Sequence, residues 1–315
     1  MSVAIDVNFL STRYAGMTEV WKFGYGSNMG QEFLRVKKQL NPLKFERSIL
    51  RGFSLSFPKG HGFDFVEPSF ATTKLDPEGC IHGVSTLLSI EDAVKLNTQE
   101  SVGKAYNLAV YKVLLYDGSE LEVEVYVPTK PIPLDFPEGV CSKRYRDILV
   151  TGAQEANLEA SWIEKLQALS VYTPSEETIA AREKLPPPSA LPQMTIAELA
   201  LHNGAQSDQY PHYISSCGYI FQVKDMFQVF HGRDVTYRNI LQSRGINLDS
   251  NDDGGKSPFP RLSKLEPTAL EYALQYRDRF IHKSGGQPLA VLKEFWEEQE
   301  AELEGVFRDN SLSKL

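Results

Sequence analysis

In the first half of the chain, hydrophobic residues gather in short runs rich in Val, Tyr, Phe and Leu, and the runs are separated by turn residues. This pattern predicts strands at 18–25, 47–57, 68–74, 79–88, 105–116 and 119–127, the last two joined by the short turn YDGSE. Helical patterns fall at 90–97, 142–155 and 158–169. In SWIEKLQAL the apolar residues Trp162, Leu166 and Leu169 recur at helical spacing. No long helical pattern separates one strand from the next, so a mixed or antiparallel barrel-like sheet with flanking helices is expected, rather than a doubly wound one.

The stretch KLPPPSALPQ at 184–193 breaks this regime. Three consecutive prolines fit neither a helix interior nor a central strand, which predicts a stiff spacer. The expected division is therefore 1–187 and 188–315, giving two α+β domains. Past the spacer, MTIAELALHNG carries Thr195 as an N-cap with Glu198 three residues on. HYISSCGYIFQV reads as a hairpin turning near Cys217 and Gly218. HGRDVTYRNILQSRG reads as a helix stopped at Gly245, and INLDSNDDGGKSPFPR as an exposed loop. Two helical patterns close the chain, PTALEYALQYRDRFIHK and QPLAVLKEFWEEQEAELEGVF.

Composition narrows the function classes. The 315 residues are 42% hydrophobic and 23% charged, as in an ordinary soluble globular protein. A net charge of −8 with no Lys/Arg cluster argues against nucleic acid as a partner. No apolar run reaches the length of about 18 residues that a membrane span needs. The N-terminus lacks the pattern of a secretory signal. Three dispersed cysteines without metal spacing predict buried thiols in a reducing compartment, the cytoplasm by default.

The most unusual local feature is FGYGSNM at 23–29, a bare loop between an aromatic strand and a helix-like segment. Gly26 offers no Cβ, so a ligand could touch backbone there. Amides that open a helix lack internal partners and suit a carboxylate. Ser27 and Asn28 can add side-chain hydrogen bonds. The same four residues also suit a plain capped turn, and the loop alone leaves both uses open.

Further blocks come in order: EGCIHGVSTLLS with Gly83 and Val84, LNTQESVGKAYNLAVYKV with Glu100 and Tyr106, and RDILVTGAQEANLEASWIEKLQAL with Gly152 and Ala153. With the YGSN loop, these resemble the γ-glutamylcyclotransferase family over roughly 18–170. The turn between Glu100 and Tyr106 is one residue shorter than the family pattern. The resemblance implies conversion of a γ-glutamyl amino acid, or a related γ-glutamyl amide, to 5-oxoproline and a free amine. The substrate's own α-nitrogen attacks its γ-carbonyl, so neither an enzyme nucleophile nor a metal or other cofactor is needed. One carboxylate can take the proton and return it to the leaving nitrogen. The resemblance gives that role to Glu100, with burial expected to favour its protonated form. Tyr25, Gly26, Ser27, Asn28 and Tyr106 become the substrate-binding candidates, the loop amides acting as an oxyanion-type grip. Asn28 points to the branch acting on free γ-glutamyl amino acids. A catalytically silent ligand-binding protein is the alternative.

TIAELALHNG, GYIFQV, FQVFHGRDVTYRNIL and LEPTALEYALQYRDRFIHK resemble a cytochrome b5-like domain of the membrane-associated progesterone receptor type, over roughly 194–298. Gly232, Arg233 and Asp234 carry most of that likeness. The place of the family's haem-ligating tyrosine is taken here by Phe227, so the domain is expected to be haem-free and to serve a partner protein. His231, beside the motif, is the one residue there able to coordinate iron; a haem- or sterol-binding protein is the corresponding alternative.

Overall fold

The computed structural model describes residues 12–205, 209–223, 230–243, 259 and 261–299. The chain divides into two compact units, 1–63 with 67–172 and 64–66 with 173–315. The first unit is a closed five-stranded barrel. Its strands are β1 (Glu19–Gly24), β2 (Lys44–Ser56), β3 (Thr72–Ser89), β4 (Tyr106–Leu115) and β5 (Glu120–Pro128), in the spatial order β1-β3-β2-β4-β5. The strands expected at 68–74 and 79–88 are one continuous strand, β3, which runs antiparallel to both β1 and β2. Closure is completed by a parallel pairing of β1 with β5. Phe23, Leu50, Ile81, Leu88 and Val125 fill the interior.

Among the described residues, the helices α1 (Ile90–Gln99), α2 (Lys143–Glu155) and α3 (Ala160–Gln167) flank the barrel. Ser89 and Ser142 cap the first two, each accepting from an amide in the first turn. Trp162 and Leu166 are the residues that α3 buries.

The parallel seam holds charge inside the barrel. Lys22 pairs in register with Glu124, and the two form an ion pair with side-chain exposures of 3% and 6%. Tyr14 and Arg13 also bond Glu124. Lys22 Nζ donates to Asn97 Oδ1 at 2.8 Å, and Tyr126 Oη donates to the same oxygen at 2.7 Å. Burial pushes the Lys22 ammonium down to about 8, against the pull of Glu124. Burial alone would raise Glu124, but Lys22, Tyr14 and Arg13 outweigh it and hold the carboxyl below its ordinary range.

The second unit is α+β, with a four-stranded mixed sheet in the order β6-β9-β8-β7. The strands are β6 (Gln193–Met194), β7 (Tyr213–Ser216), β8 (Tyr219–Gln222) and β9 (Ala290–Leu292). The helices are α4 (Glu176–Glu183), α5 (Ile196–Leu201), α6 (Thr236–Ser243), α7 (Pro267–Lys283) and α8 (Lys293–Gln299). The Thr195–Glu198 capping box and the hairpin at Cys217–Gly218 form as the sequence predicts. The closing segment does not begin as a helix: Ala290–Leu292 pairs with β8 and β6 before α8 starts. Gly245 and most of the expected loop at 246–261 lie outside the described residues.

KLPPPSALPQ is not a free spacer. Leu185 and Leu191 pack on the second core, Tyr219 Oη donates to Pro186 O at 3.1 Å, and Val291 N donates to Pro192 O at 2.9 Å. The compact units divide at 172/173, ahead of the expected 187/188, because α4 is anchored by Arg182 to Asp278 of α7. Proline's fixed φ suits a strap laid along a surface as well as a linker. Of the cysteines, Cys141 and Cys217 are buried as expected, and Cys80 is exposed.

Removing one partner of the barrel's ion pair leaves the other charge buried. Glu124→Leu is expected to cost about 3–5 kcal/mol, and adding Lys22→Met should recover much of that loss. Denaturant unfolding of the single and double variants checks it.

Candidate active site

β1 ends at a loop whose backbone is packed from several sides. A Cβ on Gly24 would lie 2.5 Å from Asn28 O, and one on Gly83 would lie 2.4 Å from Gly24 O. The two glycines let β1 and β3 pass beneath the loop as it doubles back. Ser27–Met29 then forms a 3₁₀ turn with Met29 N–H bonded to Gly26 O at 3.1 Å. That single bond leaves the amides of Ser27 and Asn28 outside the turn's own bonding. Gly152 of α2 presses on the same segment, where its Cβ would stand 2.9 Å from Gly30 N. The paired motifs Gly83-Val84 and Gly152-Ala153 thus have a steric role: each lets backbone approach backbone beside the loop.

Glu100 is the C-cap of α1, and the residue after it, Ser101, holds φ +54. Asn28 Nδ2 donates to Glu100 Oε1 at 3.2 Å. Lys38 Nζ donates to the same oxygen at 2.7 Å, with side-chain exposures of 16% and 19%. The carboxylate is therefore not an isolated group in an apolar pocket, as expected from sequence; an ammonium faces it. Asn28 Oδ1 is buried and has no hydrogen-bond partner among the described residues, so one acceptor beside the carboxylate is left open to a donor.

The tyrosines surround this pair. Tyr25 Oη donates to Tyr126 O at 2.7 Å, which commits the Tyr25 hydroxyl to the barrel core. Burial, and then the negative charge of Glu100, pushes the Tyr106 phenol up to about 12. Tyr145 of α2 is raised well above the ordinary range, by burial first, with Tyr106, Glu100 and Glu67 contributing. Its hydroxyl lies 3.1 Å from where a Cβ on Gly26 would stand. Tyr25, Gly26, Asn28, Tyr106 and Glu100 thus share one neighbourhood. Ser27 sits on the same turn, and its side chain shows no hydrogen bond among the described residues.

Sequence reasoning missed Lys38, Tyr145 and Tyr126. Lys38 comes directly after a π-turn at Phe33–Lys37, where Lys38 N–H reaches back to Phe33 O. A helix-like pattern in QEFLRVKKQL gave no sign of that extra residue. Tyr145 is one of several apolar positions of α2 and carries no motif of its own.

No family model matches the chain. It is 27% identical over 168 residues to the γ-glutamyl cyclotransferase aclK of Aspergillus oryzae, covering 47% of this chain and 60% of that protein. It is 28% identical over 145 residues to the γ-glutamyl cyclotransferase gliK of Claviceps purpurea, covering 44% and 64%. The chain thus spans less than two thirds of the length of the curated relatives it matches. A solved γ-glutamyl cyclotransferase aligns at 26% identity, 50% of this chain and 95% of that one, with a TM-score of 0.44. The chain is similar to γ-glutamyl cyclotransferases in sequence and carries a closed barrel with a glycine-rich loop beside a carboxylate. Among the described residues, no helix is long and apolar enough to cross a membrane.

The two glycines nearest the loop should respond differently to alanine. Gly152→Ala drives a methyl against backbone and is expected to cost about 1–3 kcal/mol. Gly26 has φ −113 and meets only the end of Tyr145 and the Ala71 methyl, so Gly26→Ala should lower the melting temperature less. Thermal unfolding of both variants decides.

Proposed function

We propose that the first unit is a γ-glutamylcyclotransferase that cyclises a γ-glutamyl amino acid, or a related γ-glutamyl amide, to 5-oxoproline with release of the amine. The carrying observation is the juxtaposition of Glu100 with Asn28, whose side-chain oxygen is buried and has no partner among the described residues. A carboxylate and an amide oxygen side by side suit an ammonium group. In this reading the substrate's α-ammonium donates to both, and Glu100 takes its proton. The freed nitrogen attacks the γ-carbonyl carbon, whose oxygen gains negative charge near the loop amides. As the tetrahedral centre collapses, Glu100 returns the proton to the leaving nitrogen while the carbon–nitrogen bond to it breaks. Glu100 then takes the second proton from the ring nitrogen to leave the neutral lactam; that proton ends on the released amine, which departs as an ammonium. Because the reacting groups belong to one molecule, holding the glutamyl chain bent supplies much of the rate.

Lys38 fits this scheme as the counter-charge of Glu100 before substrate arrives. The incoming ammonium takes over that role, and Lys38 gives way. Tyr106 and Tyr145 wall the site and exclude water from the carbonyl. Tyr25 contributes its backbone, since its hydroxyl is already bound to Tyr126 O. A cytoplasmic setting fits chemistry that uses no disulfide.

Glu100→Gln keeps the side chain's size and removes the proton carrier. Release of 5-oxoproline from γ-glutamyl dipeptides should fall about 10²–10⁴-fold, while calorimetry still detects dipeptide binding. Turnover retained within a few-fold would exclude Glu100 as the acid and base. A wild-type protein that binds γ-glutamyl dipeptides but releases no 5-oxoproline would favour a silent binding protein.

For the second unit we propose a cytochrome b5-like module that serves a protein partner and holds no haem. Supporting this, Gly232 has φ +72 and packs where a Cβ would lie 2.9 Å from Asn203 Cβ. Asp234 is buried, accepting from Ser215 Oγ at 2.6 Å and from Thr236 N at 2.9 Å. The motif thus has a structural use. His231 is buried and stacks on His212 with ring centroids 4.4 Å apart. Phe227 lies outside the described residues. Added haem should produce no saturable Soret band; a stoichiometric one would reverse the assignment.

A further inference from the structure

Outward from the Gly26 loop, the wall of the site continues as a row of aromatic rings. The Tyr145 hydroxyl and the Ala71 methyl stand 3.1 and 3.8 Å from where a Cβ on Gly26 would lie. Next to Ala71 in the chain is Phe70, whose ring meets that of Tyr145 edge to face, with centroids 5.4 Å apart and planes at 84°. Phe70 meets Phe63 in the same way, at 6.1 Å and 85°. Exposure rises along the row: Tyr145 is 7% exposed, Phe70 is half-buried and Phe63 is 37% exposed. The rings thus lead from the loop to solvent. Polar anchors hold them in place. Glu67, between Phe63 and Phe70 in sequence, is buried; Arg144 Nη1 donates to its Oε1 at 2.7 Å and Ser142 Oγ donates to the other oxygen. Ser142 Oγ also accepts from Tyr145 N at 2.9 Å. The helix turn that carries Tyr145 and the loop that carries Phe70 therefore share one anchor.

When the glutamyl part of a substrate is folded against Glu100 and the loop, the barrel side is closed to the rest of the molecule, because Tyr25 and Tyr126 are buried there and bonded to each other. The outward side, past Ala71 and Tyr145, is lined by Phe70 and then Phe63. We propose that these rings form a subsite for an aromatic side chain on the leaving amino acid. The row presents edges and faces in alternation, and a further ring placed against it gains more than its buried area alone provides. Since Glu67, Arg144 and Ser142 already fix the row, little ordering entropy is lost on contact. The preferred substrates are then γ-glutamyl derivatives of phenylalanine-like amino acids rather than of small ones. This rests on the cyclotransferase reading above and adds the side chain of the leaving group.

The decisive pair of compounds is γ-glutamyl-phenylalanine and γ-glutamyl-alanine, which differ only by the phenyl ring. With the full chain, kcat/KM for 5-oxoproline release should favour the phenylalanine compound by about 10–100-fold, the value of burying one such ring. Phe70→Ala should bring that ratio towards one, mainly through KM for the phenylalanine compound, and Phe70→Leu should lower it several-fold. Phe70→Tyr, which keeps the ring, should preserve it. Thermal unfolding shows which variants are folded; if Phe70→Ala is not, Phe70→Leu, which leaves the smaller cavity, decides. A wild-type ratio near or below one, or a preference that the folded ring-less variants leave intact, overturns the subsite. If the wild type turns over neither compound, the cyclotransferase reading fails separately. Calorimetric binding then decides: a Phe70-dependent preference for γ-glutamyl-phenylalanine supports the subsite, and equal or absent binding overturns it.

Discussion

The barrel closes along one short parallel seam, where Lys22 lies beside Glu124. A closed sheet needs its last strand held in a single register, because a slip of one residue turns every side chain to the other face. A buried charge pair with directional partners enforces that register more strictly than apolar contacts would. The same pair reaches outward: Lys22 and Tyr126 both bond Asn97, which stands one turn before Glu100 on α1. The strand that leads into the YGSN loop and the helix that delivers the carboxylate are thus tied to one polar cluster in the barrel interior.

Close backbone packing completes the site. Gly24, Gly83 and Gly152 each occupy a position where a methyl would overlap backbone. The loop is therefore pressed between β3 and α2. A ligand held by backbone amides needs such rigidity, since a mobile loop would lose its ordering entropy again on each binding event.

The first unit was largely legible because its strands are punctuated by turn residues and its motifs are local. The cap at Thr195 was readable, because capping depends on a few adjacent residues, and the helices expected at 90–97 and 142–155 begin within a residue of where they form. What escaped the sequence was non-local. The proline strap looked like a linker because its anchors, Tyr219 and Val291, lie about 30 and 100 residues away. Ala290–Leu292 looked helical because a three-residue strand gives no periodicity. At the site, Glu100 and Asn28 stood in recognisable motifs, whereas Lys38 and Tyr145 meet them only through the fold. An ion pair between positions 62 residues apart leaves no trace in spacing.

The π-turn at Phe33–Lys37 has an evolutionary consequence. Such turns carry one residue more than the regular helix they interrupt. Loss of a single codon in this segment would restore ordinary helical bonding and rotate the residues downstream of it by about 100°. Both adjacent lysines would then turn together, and the one now facing Glu100 would swing aside. Length in this short segment, more than the identity of any one residue in it, governs which positive charge meets which carboxylate. Homologous chains that differ here by one residue would have to draw the counter-charge of that carboxylate from another element, while the glycine-rich loop stays the same.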